Sequence, residues 1–581
     1  MKDRIYSLLS QIYNHETSKI YAKEILNKID TVKNSLLSTD IHQKTANYFP
    51  LDESDTILIT YGNQFSESGE YPLSTLRNFL TNFTSKAFSS VHILPFFPYS
   101  SDDGFSVIDF TQVNTEFGSW PDIEALASEY RIMADLVLNH CSVSSPWFQG
   151  FLNGDPHYKN YFIALDPDTD VSEVIRPRAH PLLTPFKTKE GIKYVWTTFS
   201  DDQVDLNFAN PHVLLEMVHI LLLFLQHGIR IIRLDAIAYV WKELGTPCLH
   251  HPKTHLLVKL FRAILEHTTP EAVLITETNV PHNENISYFG NGSDEAHMVY
   301  QFSLPPLVID AFLRGNSERL QEWASSLKLK NKQTAFFNFL ASHDGIGLLP
   351  AKNVLSETEI NGLIDNTLQN GGKISYKATA NGKIPYEMNI TYLDAVSPPH
   401  FNTDDRISRF LASQSIMLTM PGVPGIYIHS LLGSENCITC LEQTGHNRSI
   451  NREKFILSQI VSELNSEHSL RCRIFRKYLN MLEKRRAEPA FHPTAQAVFL
   501  PTEKQIFAIL RISGIHTENI LCVHNLTNTQ IEFHPPANTN LRDAHQWKDI
   551  LSNETFDFKK EDTLGVPIKP YGIYWLKPIS S

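Results

Sequence analysis

Eight short apolar runs, separated by stretches with helical spacing, set the tightest limit on what this chain can fold into. They are Thr56–Tyr61, Val91–Phe97, Ile132–Asn139, Ile229–Asp235, Ala272–Glu277, Met298–Phe302, Thr334–Phe339 and Val423–Ile428. Strands that are apolar on both faces belong to a parallel sheet covered by helices, not to a sheet with one wet face. Eight is the number that closes such a sheet on itself. The spacing therefore predicts an α/β fold, a (β/α)8 TIM barrel, with its active site at the carboxyl ends of the strands.

Departures from a bare barrel are also readable. Residues 141–228 are far more than a strand–helix–strand crossover needs, which predicts a subdomain inserted after strand three, at about 141–210. A long loop, 345–405, follows strand seven and carries Gly371, Gly372 and Gly382. Residues 1–50 repeat apolar side chains at helical spacing (Ile5, Leu8, Leu9, Ile12, Tyr13, then Ile25, Ile29, Val32, Leu36), as two amphipathic helices lying outside the barrel would. Beyond 490 the pattern becomes alternating segments such as IFAILRI and GIYWLKP, which reads as a C-terminal antiparallel β domain. The expected division is 1–50, 51–489 and 490–581.

The charge balance excludes partners. A formal charge of −12 disfavours nucleic acid and acidic membrane surfaces, both of which are bound through clustered Lys and Arg. Ile220–Leu225 is the longest strongly apolar stretch, too short to span a bilayer, and the N-terminus does not read as a secretion signal. Six cysteines are too sparse for a disulfide framework, so a cytoplasmic setting fits; Cys437 and Cys440 read as a bland loop pair, without the further ligands that zinc requires. A homodimer is compatible with all of this.

Four strand ends carry ionisable groups: DLVLNH (Asp135 to His140), RLD (Arg233 to Asp235), ETN (Glu277 to Asn279) and SHD (Ser342 to Asp344). Breaking a glycosidic bond requires a proton for the leaving oxygen and a carboxylate for the oxocarbenium-like carbon. Asp235 and Glu277 are the best pair. Arg233 shares a strand face with Asp235 and is expected to hold it ionised, as a nucleophile must be. Glu277 follows an apolar run, where burial would keep its proton, as a general acid needs. Either residue alone could equally be an ordinary ion-pair member.

The segments DLVLNH, IRLDA, ITETN and ASHDG, in this order, resemble the signature regions of glycoside hydrolase family 13, the α-amylase superfamily, and the likeness runs from about 52 to 490. VHILPFFPYSSDDGFSVIDF, TFSDDQVDLN, HMVYQFSLPPL and PGVPGIYI are similar to its sucrose phosphorylase branch, and DESDTILITYG, ETNVPH and PYEMNITY to the glucosylglycerate phosphorylases within it. The resemblance implies Asp235 as nucleophile, Glu277 as acid/base and Asp344 as a third carboxylate gripping sugar hydroxyls. Arg233, His140, His343 and Asp102 would complete a glucose pocket with Phe105 and Phe199 as apolar walls. Arg178 and Tyr386 would hold phosphate.

Glu387 stands where sucrose phosphorylases have glutamine; it changes the acceptor side and disfavours an anionic acceptor unless it points away. Arg448 is the candidate cation for a glycerate carboxylate. Asn139 matches a calcium ligand of many amylases, but no acidic cluster accompanies it, so neither metal nor organic cofactor is expected and inorganic phosphate is the co-substrate. The implied reaction is retaining phosphorolysis of a small α-glucoside, glucosylglycerate before sucrose, through a covalent glucosyl-enzyme to α-glucose 1-phosphate. The same carboxylates would serve a retaining hydrolase or transglucosidase, and a catalytically silent sugar-binding barrel is the remaining alternative.

Overall fold

The computed structural model describes residues 2–36, 49–84, 86–178, 180–379, 382–513, 518–535, 546–557 and 565–579. The eight apolar runs become strands β1 (Ile57–Tyr61), β2 (Ser90–Leu94), β3 (Arg131–Val137), β4 (Ile229–Asp235), β5 (Val273–Thr276), β6 (Met298–Tyr300), β7 (Ala335–Phe339) and β8 (Val423–Tyr427). They form one closed barrel in sequential order, every neighbouring pair parallel. Several strands stop a few residues before their apolar runs do. That shortening leaves Asn139, Glu277 and Phe302 just past the ladder.

Helices α1 (Lys2–Ile12) and α2 (His15–Leu36) bury Ile5, Leu9, Ile25 and Ile29. They lie against the barrel helices α3 (Pro211–Gln226) and α4 (Pro252–Thr268), α1 on α4 and α2 on both. The tail of the expected N-terminal extension, 37–48, lies outside the described residues. Between β3 and α3 two small antiparallel units appear: His140–Ser142 paired with Gln203–Asp205, and a three-stranded sheet built on Leu183–Thr188 and Gly191–Trp196.

Two expectations are corrected. The segment after β7 is not a plain loop: it contains a helix, Glu357–Gln369, started by a capping box between Ser356 and Glu359, and a hairpin, Lys373–Thr379 with Gly382–Asn389. Gly371 and Gly382, at φ of +82° and +111°, mark a turn and the start of a strand in that structure instead of slack chain. Cys437 and Cys440 are joined in a disulfide. Cys437 caps the helix Ile438–Thr444 and Cys440 lies in its first turn, which brings their Cα atoms to 5.3 Å, inside the bonding range.

After Phe491 the chain forms a six-stranded antiparallel sheet and a separate two-stranded one. The larger sheet is fastened to the barrel layer by buried polar groups. Arg511 donates to the carbonyls of Ala490, Thr419 and His492, and Trp575 donates to Ser415 Oγ on helix α5 (Thr403–Thr419). Arg485, at the end of helix α6 (Leu470–Arg486), donates to the carbonyls of Leu418, Glu53 and Phe491.

Candidate active site

Strand register brings the two central carboxyls together. Leu234 of β4 pairs with Thr276 of β5, so Asp235 and Glu277, the next residue on each strand, leave the ladder side by side. The chain then bends at Ala236, a non-glycine residue at φ 47°, a strained conformation of the kind stored at functional sites. In that bend the Ala236 amide donates to Glu277 Oε2 at 3.1 Å. Arg233 Nη1 contacts Asp235 Oδ1 at 2.6 Å, while its other terminal nitrogen stands 4.0 Å from Glu277 Oε2. Arg233 is itself fixed from below by a direct contact with Asp135, whose second oxygen meets His92 at 2.7 Å. The ring of Tyr300 lies 5.3 Å from the guanidinium.

The proton affinities differ from expectation in an instructive way. Burial raises the Asp235 carboxyl to about 8, with the charges of Glu277, Asp135 and Asp344 adding to it and Arg233 opposing. Burial raises Glu277 as well, again against Arg233. Desolvation and like charges therefore oppose the one guanidinium, already shared with Asp135, and disfavour ionisation of both carboxyls at once. The direct Arg233 contact favours the arrangement with the negative charge on Asp235 and the proton on Glu277.

Asp344 lies just past β7. Burial would raise it too, yet Arg448, His343 and Arg452 hold it well below the usual carboxylate range, with Arg448 Nη1 at 2.5 Å and His343 Nε2 at 3.6 Å. His343 stacks on Phe105 at 4.7 Å and 5°, and burial lowers its pKa to about 3, so it stays neutral. His140 Nε2 lies 3.0 Å from the Phe105 carbonyl, and its ring lies 5.4 Å from Phe199. Asp102 sits in a tight turn that is closed by Gly104, where an added Cβ would come 2.5 Å from the Pro95 carbonyl oxygen. Asp102 faces Arg452 at 3.5 Å. All the expected glucose-pocket residues thus line one mouth.

On the far side, the Arg178 guanidinium lies 6.0 Å from the Phe199 ring and 5.6 Å from that of Tyr386. Glu387 is buried, accepts from the Gly345 amide at 3.0 Å and pairs with Arg448 at 2.9 Å, so its charge is already matched. Arg448 consequently bridges Asp344 and Glu387 instead of standing free.

Sequence reasoning missed several members. Arg452, four residues beyond Arg448, contacts Asp103 at 2.6 Å and donates to the His343 carbonyl at 2.8 Å; its spacing after Arg448 was the available signal. Tyr239, three residues after the Ala236 bend, packs edge-on to Phe199 at 5.4 Å. Lys242 fills the place beside Asn139: its ammonium meets Asn139 Oδ1 at 2.6 Å and Asp205 at 2.8 Å. Nothing in the local pattern marks that lysine, because it approaches from the loop after β4.

A mouth of this kind can grip a polar ring with apolar faces and exchange a proton and a carboxylate across one carbon, which defines the class of barrel enzymes that act on glycosidic bonds. A model of the α-amylase catalytic domain matches residues 83–348, and one of the maltogenic amylase C-terminal domain matches 497–575. The chain is 50% identical over 580 residues to a glucosylglycerate phosphorylase of Spirochaeta thermophila, covering 99% of this chain and 98% of that protein. It is 42% identical over 581 residues to one of Escherichia coli, covering 99% and 100%. In fold it is similar to the crystal structure of sucrose 6F-phosphate phosphorylase from Thermoanaerobacter thermosaccharolyticum, with a TM-score of 0.71 and 24% identity over 81% of this chain and 94% of that one. The chain belongs to the α-amylase family, on its branch of glucoside phosphorylases.

Proposed function

We propose that the protein phosphorolyses α-glucosylglycerate with retention of configuration. The names of the two relatives support the substrate; one observation carries the chemistry, the Asp235–Glu277 pair set side by side over a single guanidinium. Glu277 gives its proton to the glycosidic oxygen as the carbon–oxygen bond breaks. Asp235 attacks the anomeric carbon from the opposite face, forming a β-linked glucosyl ester and releasing glycerate. A phosphate oxygen then attacks the same carbon from the vacated side, its proton passing to Glu277, the ester breaks, and α-glucose 1-phosphate leaves. Asp344 and the Asp102–Arg452 pair hold the glucose hydroxyls, and Arg178 with Tyr386 holds phosphate.

Neither metal nor organic cofactor enters this scheme, since two carboxyls and phosphate account for every bond, and Lys242 already supplies a fixed cation at Asn139. Four buried thiols and the acidic surface suit the cytoplasm; no helix among the described residues is long and apolar enough to cross a membrane. The test is phosphate dependence. Purified protein with α-glucosylglycerate should yield glucose 1-phosphate and glycerate in equal amounts, with little free glucose; free glucose formed at the same rate without phosphate would point to a hydrolase instead.

A further inference from the structure

Two arginines are candidates for meeting the leaving group, and they differ in what already neutralises them. Arg448 touches Asp344 at 2.5 Å and Glu387 at 2.9 Å. A guanidinium between two carboxylates has no surplus charge to offer, and a third anion brought there meets net repulsion. Arg178 has no carboxylate within 4.0 Å among the described residues. Its neighbours are the Phe199 and Tyr386 rings, which shed water from the guanidinium and strengthen any anion contact it makes. Tyr239 packs edge-on to Phe199, and both Tyr239 and Tyr386 feel the charges of Glu277 and Arg178. Arg178 is therefore separated from the residue that meets the leaving oxygen by these tyrosines alone, on the same side of the site.

We infer that Arg178 is the specificity-determining cation, binding the glycerate carboxylate of the donor and then, once glycerate has left, the phosphate that replaces it, while Arg448 is a positioning residue that Glu387 holds on Asp344. The inference rests on the phosphorylase reading and refines it: one guanidinium serves two anions in turn, so glycerate and phosphate exclude each other. High phosphate then competes with glucosylglycerate for the free enzyme.

The discriminating experiment compares glycerate release from glucosylglycerate with glycerol release from glucosylglycerol, whose acceptor lacks only the carboxylate charge, in wild type, R178Q, R178K and E387Q. R178Q should lower the ratio of kcat/KM for glucosylglycerate over glucosylglycerol by at least about tenfold, as expected for a lost charge-assisted hydrogen bond, and raise the KM for phosphate. R178K, which keeps the charge without the fork, should recover part of both and covers the case that R178Q does not fold. E387Q should slow both glucosides by a similar factor, leaving the ratio within about twofold, because it acts through Arg448 on the shared glucose. A ratio unchanged in R178Q while phosphate KM rises overturns the inference, and so does a ratio that collapses in E387Q. Wild-type glycerate release indifferent to phosphate would remove the phosphorylase reading instead, and the ratio in R178Q would still report which cation meets the carboxylate.

Discussion

At Asp235, catalysis and folding pull in opposite directions. Burial raises its carboxyl to about 8 in the folded protein, against about 3.9 in an unfolded chain. The folded state binds that proton more tightly, so its contribution to stability falls as pH rises from about 4 toward 8. Replacing Asp235 with Asn removes the titrating group but keeps the shape. The variant should lose at least about 10³-fold in turnover and still be more stable than wild type at pH 8, with the gain fading toward pH 4. Paired denaturant titrations at the two pH values would show it. Glu277 makes a different demand, because its proton matters only when the leaving group needs one. Glu277→Ala should therefore slow glucosylglycerate by about 10²–10⁴-fold and α-glucosyl fluoride far less; equal losses on both would deny Glu277 the acid role.

The barrel mouth is completed by elements that meet at close quarters. An added Cβ at Gly345 would come 2.5 Å from Glu387 Cγ and 2.7 Å from the Met388 carbonyl oxygen, so Gly345→Ala should push Glu387 off Arg448. Displacements near 1 Å cost up to about 10²-fold, and a drop of kcat of that order together with a lowered melting temperature is expected, since a backbone carbonyl must shift and a buried ion pair is broken. On the opposite flank, Ile29 of α2 is fully buried; Ile29→Ala should cost about 2–4 kcal/mol with no change in KM, read from thermal melts and initial rates. The strands and α1–α2 were legible because apolar periodicity is a local property. Asp235 and Glu277 were legible because they end or directly follow such strands, and Asp344 because it lies a few residues past one. The upward push on the Asp235 carboxyl was not, since it depends on Glu277, Asp135 and Asp344, which come from other parts of the chain. Nor was the Glu387–Arg448 bridge, which forms only when the hairpin after β7 folds back over a turn some sixty residues further on, and the Cys437–Cys440 bond needed a capped helix that no nearby apolar pattern announced.

Across the whole molecule, one face of the C-terminal sheet shares the barrel's interior, with Phe507, Ile509 and Trp575 in the same core as the barrel strands, while Ile506, Ala508 and Leu576 belong to a separate cluster. Arg511 is fully buried and bonded to carbonyls from both parts. Arg511→Met would strand those carbonyls and should cost about 3 kcal/mol, shifting a single cooperative transition; early release of the sheet alone would contradict a common core. Lys242 has a comparable reach. Chelators should leave the rate untouched, whereas Lys242→Met, by abandoning buried Asp205, should lower stability by about 3–5 kcal/mol. A countercharge leashed to the backbone cannot diffuse off on dilution or be claimed by a competing scavenger, so the loop bearing His140 should keep its shape whatever the mineral content of its surroundings.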